Sequence, residues 1–157
     1  MKESAVTRSI FLSPGEGKGT APGGPRQIRI KIASESTGHR YSIVEDTVPP
    51  SYATELHIHR NTDEAFYVVS GTLMFQIDEN KSEAPSGTFL FIPRGIPHAF
   101  MNPTVNPATY LVILSPPGFE RYFEERALVA NTHPTPETLN AISAKHDRQV
   151  VGPLMTP

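Results

Sequence analysis

The sequence predicts an all-β fold, a sandwich or antiparallel barrel, entered by a flexible loop and followed by two short helices. Two observations carry the prediction. Sixteen prolines and eleven glycines in 157 residues favour short strands and sharp turns over a helical bundle, and proline alone stands at roughly twice average usage. Short runs rich in β-branched and aromatic residues also recur between turn-forming clusters, the spacing expected of a sandwich or barrel.

The elements follow in order. Residues 13–25 (SPGEGKGTAPGGP) cannot sustain a strand or helix and are expected to form a flexible loop. Gln27-Ile-Arg-Ile-Lys-Ile32 alternates polar and apolar residues, the mark of a half-buried strand. A second strand is expected over His39 to Thr47, stopped by Pro49-Pro50. Further strands are expected at 53–59, 64–69, 72–77, 88–92, 98–102 and 108–114, divided by turns such as Ser70-Gly71, Pro85-Ser-Gly87 and Pro93-Arg-Gly95. After Pro116-Pro117-Gly118 the character changes, because apolar residues at 119, 122, 123, 127 and 128 approach a helical repeat. Thr135-Pro136-Glu137 then has the form of a helix start, with threonine as N-cap and proline in the first turn, opening a helix to about Ala144. These helices are expected to pack outside the barrel or on a partner subunit.

Composition narrows the function. A formal charge of −2 gives no basic footprint, so nucleic acid is not an expected partner. The absence of cysteine removes disulfides, thiolate metal sites and thiol nucleophiles together. Neither a secretory leader nor a membrane-spanning run is read from the sequence, so a single cytoplasmic domain over residues 1–157 is expected.

The chemistry lies in His57, His59, Glu64 and, 34 residues beyond the glutamate, His98. Side chains alternate along a strand, so His57 and His59 project to one face with Ile58 behind them. A carboxylate from the next strand and a third imidazole from elsewhere can complete a cage for one divalent cation. Such donors suit iron, manganese, nickel, cobalt, copper or zinc without choosing among them. Four protein donors leave positions for water, oxygen or substrate, as a catalytic site requires. Parity places Phe66 and Val68 on the Glu64 face and Phe100 on the His98 face, with Phe89 and Phe91 as further candidates for the same pocket. Tyr67 and Phe75 can lie either way. Asp63 is expected to point to solvent, and His39, His133 and His146 are expected at the surface.

The same residues carry a family resemblance. Ser51, His57, His59, Glu64 and Gly71 match the first motif of the cupin superfamily, except that serine replaces its opening glycine. Gly87, Pro93, Gly95, His98 and Asn102 match the second without a gap, fifteen residues (72–86) farther on. The chain resembles small cupins of the quercetin 2,3-dioxygenase-like kind, closely over about residues 38–117. The resemblance implies a double-stranded β-helix, or jelly-roll barrel, with 118–147 forming the C-terminal helices. It implies a metal held by His57, His59, Glu64 and His98. Glu64 would act catalytically by accepting the proton of a substrate hydroxyl, and Asn102 would anchor a turn. The implied activity is a dioxygenase acting on an aromatic, flavonol-like or polyketide-like small molecule. The alternatives are a non-redox isomerase, cyclase or decarboxylase, or a non-catalytic ligand-binding module. The expected partners are a small-molecule substrate, dioxygen and a second copy of the chain in a homodimer.

Overall fold

The computed structural model describes residues 8–20 and 26–157. The first sheet holds six antiparallel strands in the order β1 (Lys18–Thr20), β2 (Gln27–Ile32), β3 (Ser42–Val48), β10 (Ala108–Ser115), β5 (Asp63–Ser70) and β8 (Phe89–Ile92). The second holds β11 (Gln149–Leu154), β4 (Glu55–Ile58), β9 (His98–Met101), β6 (Thr72–Ile77) and β7 (Asn80–Pro85). Two helices, α1 (Glu120–Val129) and α2 (Pro136–Lys145), fall between β10 and β11.

Alternation fills the space between the sheets. Val44, Asp46 and Val48 of β3, Tyr110, Val112 and Leu114 of β10, and Glu64, Phe66 and Val68 of β5 are all buried. Register keeps them on one face, with Val112 opposite both Val44 and Phe66. The second sheet answers with Leu73, Phe75 and Phe100. Edge-to-face contacts at 5.2–5.3 Å link Phe66 to Phe75 and Tyr110, and Phe100 to Tyr110. Each such ring contributes about 1.5–3 kcal/mol through burial, and each pair adds about 0.5–1.5 kcal/mol from its geometry.

Three strands depart from the expectation. Lys18–Thr20 pairs with β2, so part of the stretch read as a flexible loop is a sheet edge; residues 21–25 of that stretch lie outside the described residues. Asn80–Pro85, not expected as a strand, pairs with β6 and buries only Ala84. Gln149–Leu154 pairs with β4 despite Gly152 and Pro153. Edge strands are held by backbone bonds along one side, so their sequences need little apolar patterning.

Phe89 and Phe91 are a correction. They are 63% and 55% exposed, on the outer face opposite Tyr67 and Ala65, while Leu90 and Ile92 turn inward. An unbroken Phe-Leu-Phe-Ile run contains no polar residue to say which face is wet. The helix start at Thr135 is as expected, with its hydroxyl accepting from the Thr138 amide at 3.2 Å and Pro136 opening the helix. The position of α1 was not expected, because it covers the barrel mouth. Glu120, 2% exposed in its first turn, accepts from the Ser34 amide, the Ser42 hydroxyl and the Gly118 amide. That buried carboxylate ties the helix to the first sheet and so aims Phe119, Tyr122 and Phe123 at the opening.

Candidate metal centre

The four sequence-selected donors converge between the sheets. His57 of β4 lies directly across from His98 of β9. His59 follows one residue past β4, and Glu64 comes from β5 in the opposite sheet. All four are buried. The ring centroids are 4.4 Å apart for His57 and His98, 5.1 Å for His57 and His59, and 5.6 Å for His59 and His98. One nitrogen from each ring lies within 4.8 Å of the others.

The outer nitrogens settle the tautomers. His57 Nδ1 lies 2.7 Å from the Glu55 carbonyl, His59 Nδ1 3.0 Å from the Asp147 carbonyl, and His98 Nδ1 2.9 Å from the Ile96 carbonyl. A carbonyl only accepts, so each Nδ1 carries the hydrogen and a neutral ring leaves its Nε2 lone pair facing inward. Glu64 Oε2 sits 2.8 Å from His98 Nε2 and 3.7 Å from His59 Nε2. Yet His59 Nε2 and Glu64 Oε2 are buried atoms that make no aligned hydrogen bond. Acceptors facing acceptors away from water are costly unless a proton or cation lies between them. The donor set therefore fits a divalent transition metal held by His57, His59, His98 and Glu64.

The electrostatics of His57, His59 and Glu64 agree, and His98 is the exception. Burial lowers the pKa of His57 well below the imidazole range, and neighbouring His98 and Arg148 add to the effect. His59 is also lowered, chiefly by burial, although Glu64 opposes the shift. Burial would raise Glu64, but His59 and His98 outweigh it and hold the carboxylate below its ordinary range. Burial would lower His98, but its contact with Glu64 brings it above the usual value.

The donors open on a cavity of about 40 Å³. Of the residues expected to line it, Phe66 and Phe100 do, whereas Val68 is fully buried in the core and absent from the wall. Tyr67 faces outward and Phe75 inward, though Phe75 does not reach this cavity. Phe119, Tyr122 and Phe123 close the mouth, with Phe119 edge-on to His59 at 4.3 Å and stacked on Tyr122 at 4.9 Å. The apolar spacing at 119, 122 and 123 signalled a buried helix face without saying what it covers.

A polar wall completes the cavity, and nothing in the motifs pointed to it. Arg26 forks onto Asp46 at 2.5–3.1 Å and reaches the Tyr52 hydroxyl at 2.5 Å, while the Tyr110 hydroxyl donates to Asp46 at 2.6 Å. Burial raises the pKa of both tyrosines, so both phenols stay protonated. Arg148, 8% exposed, lines the same cavity and donates to Glu55 at 2.7 Å.

The remaining expectations divide. Asn102 anchors a turn as expected: its amide donates to the Val48 and Asn106 carbonyls, and its oxygen accepts from the Thr104 amide and hydroxyl. Asp63 points away from the site and pairs with Arg94. His39 and His133 are exposed. His146 is not, because its ring is 12% exposed and lies 2.5 Å from Glu125.

Two facing antiparallel sheets with three histidines and a carboxylate between them define a cupin-type barrel. The family described as "Cupin domain" matches residues 44–114, and the chain carries a cupin domain over that span. An uncharacterized protein of Methanocaldococcus jannaschii is 31% identical over 80 residues, 51% of this chain and 64% of that protein. Quercetin 2,3-dioxygenase of Bacillus subtilis is 33% identical over 91 residues, 57% of this chain and 26% of that enzyme. The chain thus matches less than two thirds of the length of either relative. Among solved structures, the polyketide cyclase RemF of Streptomyces resistomycificus superposes with a TM-score of 0.61 at 22% identity, covering 69% of this chain and 80% of RemF. That likeness is one of fold. Among the described residues no helix is long and apolar enough to cross a membrane.

Proposed function

We propose that this chain is a metal-dependent enzyme of the dioxygenase class, acting on an aromatic, flavonol-like or polyketide-like small molecule. The observation that carries the reading is the convergence of three Nε2 atoms and one carboxylate, with every Nδ1 already engaged by a carbonyl. A divalent metal held by His57, His59, Glu64 and His98 would supply Lewis acidity, which would lower the pKa of a substrate hydroxyl brought against it. Glu64 stands where it can take that proton, because its Oε2 lies among the imidazoles and lacks an aligned donor. The aromatic walls from Phe66, Phe100 and Phe119 suit a flat ring, and the Bacillus subtilis quercetin 2,3-dioxygenase is a sequence relative.

Size adds a condition. The cavity of about 40 Å³ takes a cation and a few waters, whereas a drug-sized ligand needs roughly 300 Å³ or more. Phe119 and Tyr122 must therefore swing aside to admit such a substrate. The test is oxygen consumption by protein loaded with iron, manganese, nickel or cobalt, offered a panel of flavonols and catechols. Metal-dependent oxygen uptake that Glu64→Gln abolishes is expected. Turnover of a panel member without oxygen uptake contradicts the dioxygenase assignment in favour of isomerase, cyclase or decarboxylase chemistry. Binding without turnover contradicts both and leaves a ligand-binding module.

A further inference from the structure

The cupin match ends at residue 114, but the support of the metal centre does not. Asp147 sits in the left-handed region, with φ at 61°. Its carbonyl accepts from His59 Nδ1 at 3.0 Å. Its carboxylate accepts from the Arg60 and Asn61 amides at 2.9 and 2.8 Å, and from the Asn61 side chain at 3.2 Å. Asp147 thus grips both the ring of His59 and the backbone that follows it. The next residue addresses the other first-motif histidine. Arg148 donates to the Glu55 carboxylate at 2.7 Å, and the Glu55 carbonyl orients His57 through Nδ1 at 2.7 Å. The two residues lead directly into β11, whose Val150 pairs with His57 and whose Gln149 pairs with Ile58.

We propose that Asp147 and Arg148 are positioning residues of the metal centre, Asp147 for His59 and Arg148, through Glu55, for His57. The physical basis is that a ligating imidazole needs its outer nitrogen held, and loss of such a partner typically weakens metal binding about 10- to 100-fold. The inference rests on the metal-centre reading and extends it to a segment that carries no motif.

The test uses three full-length variants. Asp147→Gly keeps the left-handed backbone while deleting the carboxylate, Asp147→Asn keeps one acceptor and tolerates the same backbone, and Arg148→Gln removes the ion pair. Two readouts are taken: Co²⁺ affinity by calorimetry, and the protonation pattern of the histidine ring nitrogens by NMR in the metal-free protein. Asp147→Gly is expected to weaken Co²⁺ binding about 10- to 100-fold and to loosen the Nδ1–H state of His59 alone. Asp147→Asn is expected to recover part of both, and Arg148→Gln to affect His57 and leave His59 unchanged. General destabilisation would disturb all three rings together, and that pattern overturns the proposal. Wild-type Co²⁺ affinity and ring states in Asp147→Gly and Arg148→Gln overturn it as well. A wild-type protein that takes up no Co²⁺ instead overturns the metal-centre reading, and the positioning roles with it.

Discussion

Asp63 and Glu64 are adjacent carboxylates with opposite fates. Strand alternation sends Glu64 into the barrel among the imidazoles and turns Asp63 out to Arg94, whose Nε and terminal nitrogen each lie 3.0 Å from it. Hydrogen bonds from the Arg94 side chain and amide hold the Asp63 carboxyl down to about 2. A depressed carboxylate contributes stability above its unfolded pKa, near 3.9, and that contribution disappears as pH falls through the folded value. Asp63→Asn is therefore expected to melt slightly below wild type at pH 7 and level with it near pH 2, as followed by thermal denaturation. An equal gap at both pH values would contradict the assigned pair. At this scale the sequence was most informative about polar residues at buried parity. Glu64 and His98 are anomalies in strands that otherwise bury apolar side chains, and His57 and His59 are buried two apart at the same parity in and just past β4. Phe89 and Phe91 carried no such signal, because an apolar residue is compatible with either face.

Among the elements, the β5–β6 turn depends on one glycine. Gly71 has a φ of 75°, and a Cβ there would lie 2.8 Å from both Cα and Cβ of Ala108. Gly71→Ala thus combines left-handed strain of about 1–2 kcal/mol with a backbone clash. It is expected to destabilise by more than 2 kcal/mol, on the scale of overpacking penalties of about 1–3 kcal/mol. Ser51, which stands where the cupin motif has glycine, also adopts a positive φ, of 63°. Ser51→Gly relieves that strain and is expected to gain up to about 1 kcal/mol in urea unfolding, after the added chain entropy of glycine. The bounds of β2 and β6 were legible to the residue, and the alternation of β2 also showed which face is buried. The edge strands β1, β7 and β11 were not, since backbone bonds along one side hold them, β1 and β7 to the strand next to each in sequence and β11 to the distant β4. The helices were legible as helices. The seat of α1 was set by the Glu120 carboxylate meeting Ser34 and Ser42, a contact between segments that spacing does not reveal.

The whole molecule is a two-sheet container whose contents come from both walls. Three imidazoles enter from the second sheet, the carboxylate enters from the first, α1 covers the mouth, and the segment leading into β11 braces two of the rings. Aromatic packing joins Phe66 and Phe100 to Tyr110 through contacts that involve none of the four donors, so the barrel is expected to survive the removal of one donor at a time. The most direct measurement is calorimetric titration of the metal-free chain with Zn²⁺ or Co²⁺, in parallel with His57→Ala and His98→Ala. The account predicts one cation per wild-type chain and at least a 100-fold loss of affinity in either variant, with metal-free melting temperatures close to wild type. Equal stoichiometry and affinity in the variants, or no uptake by the wild type, would contradict it.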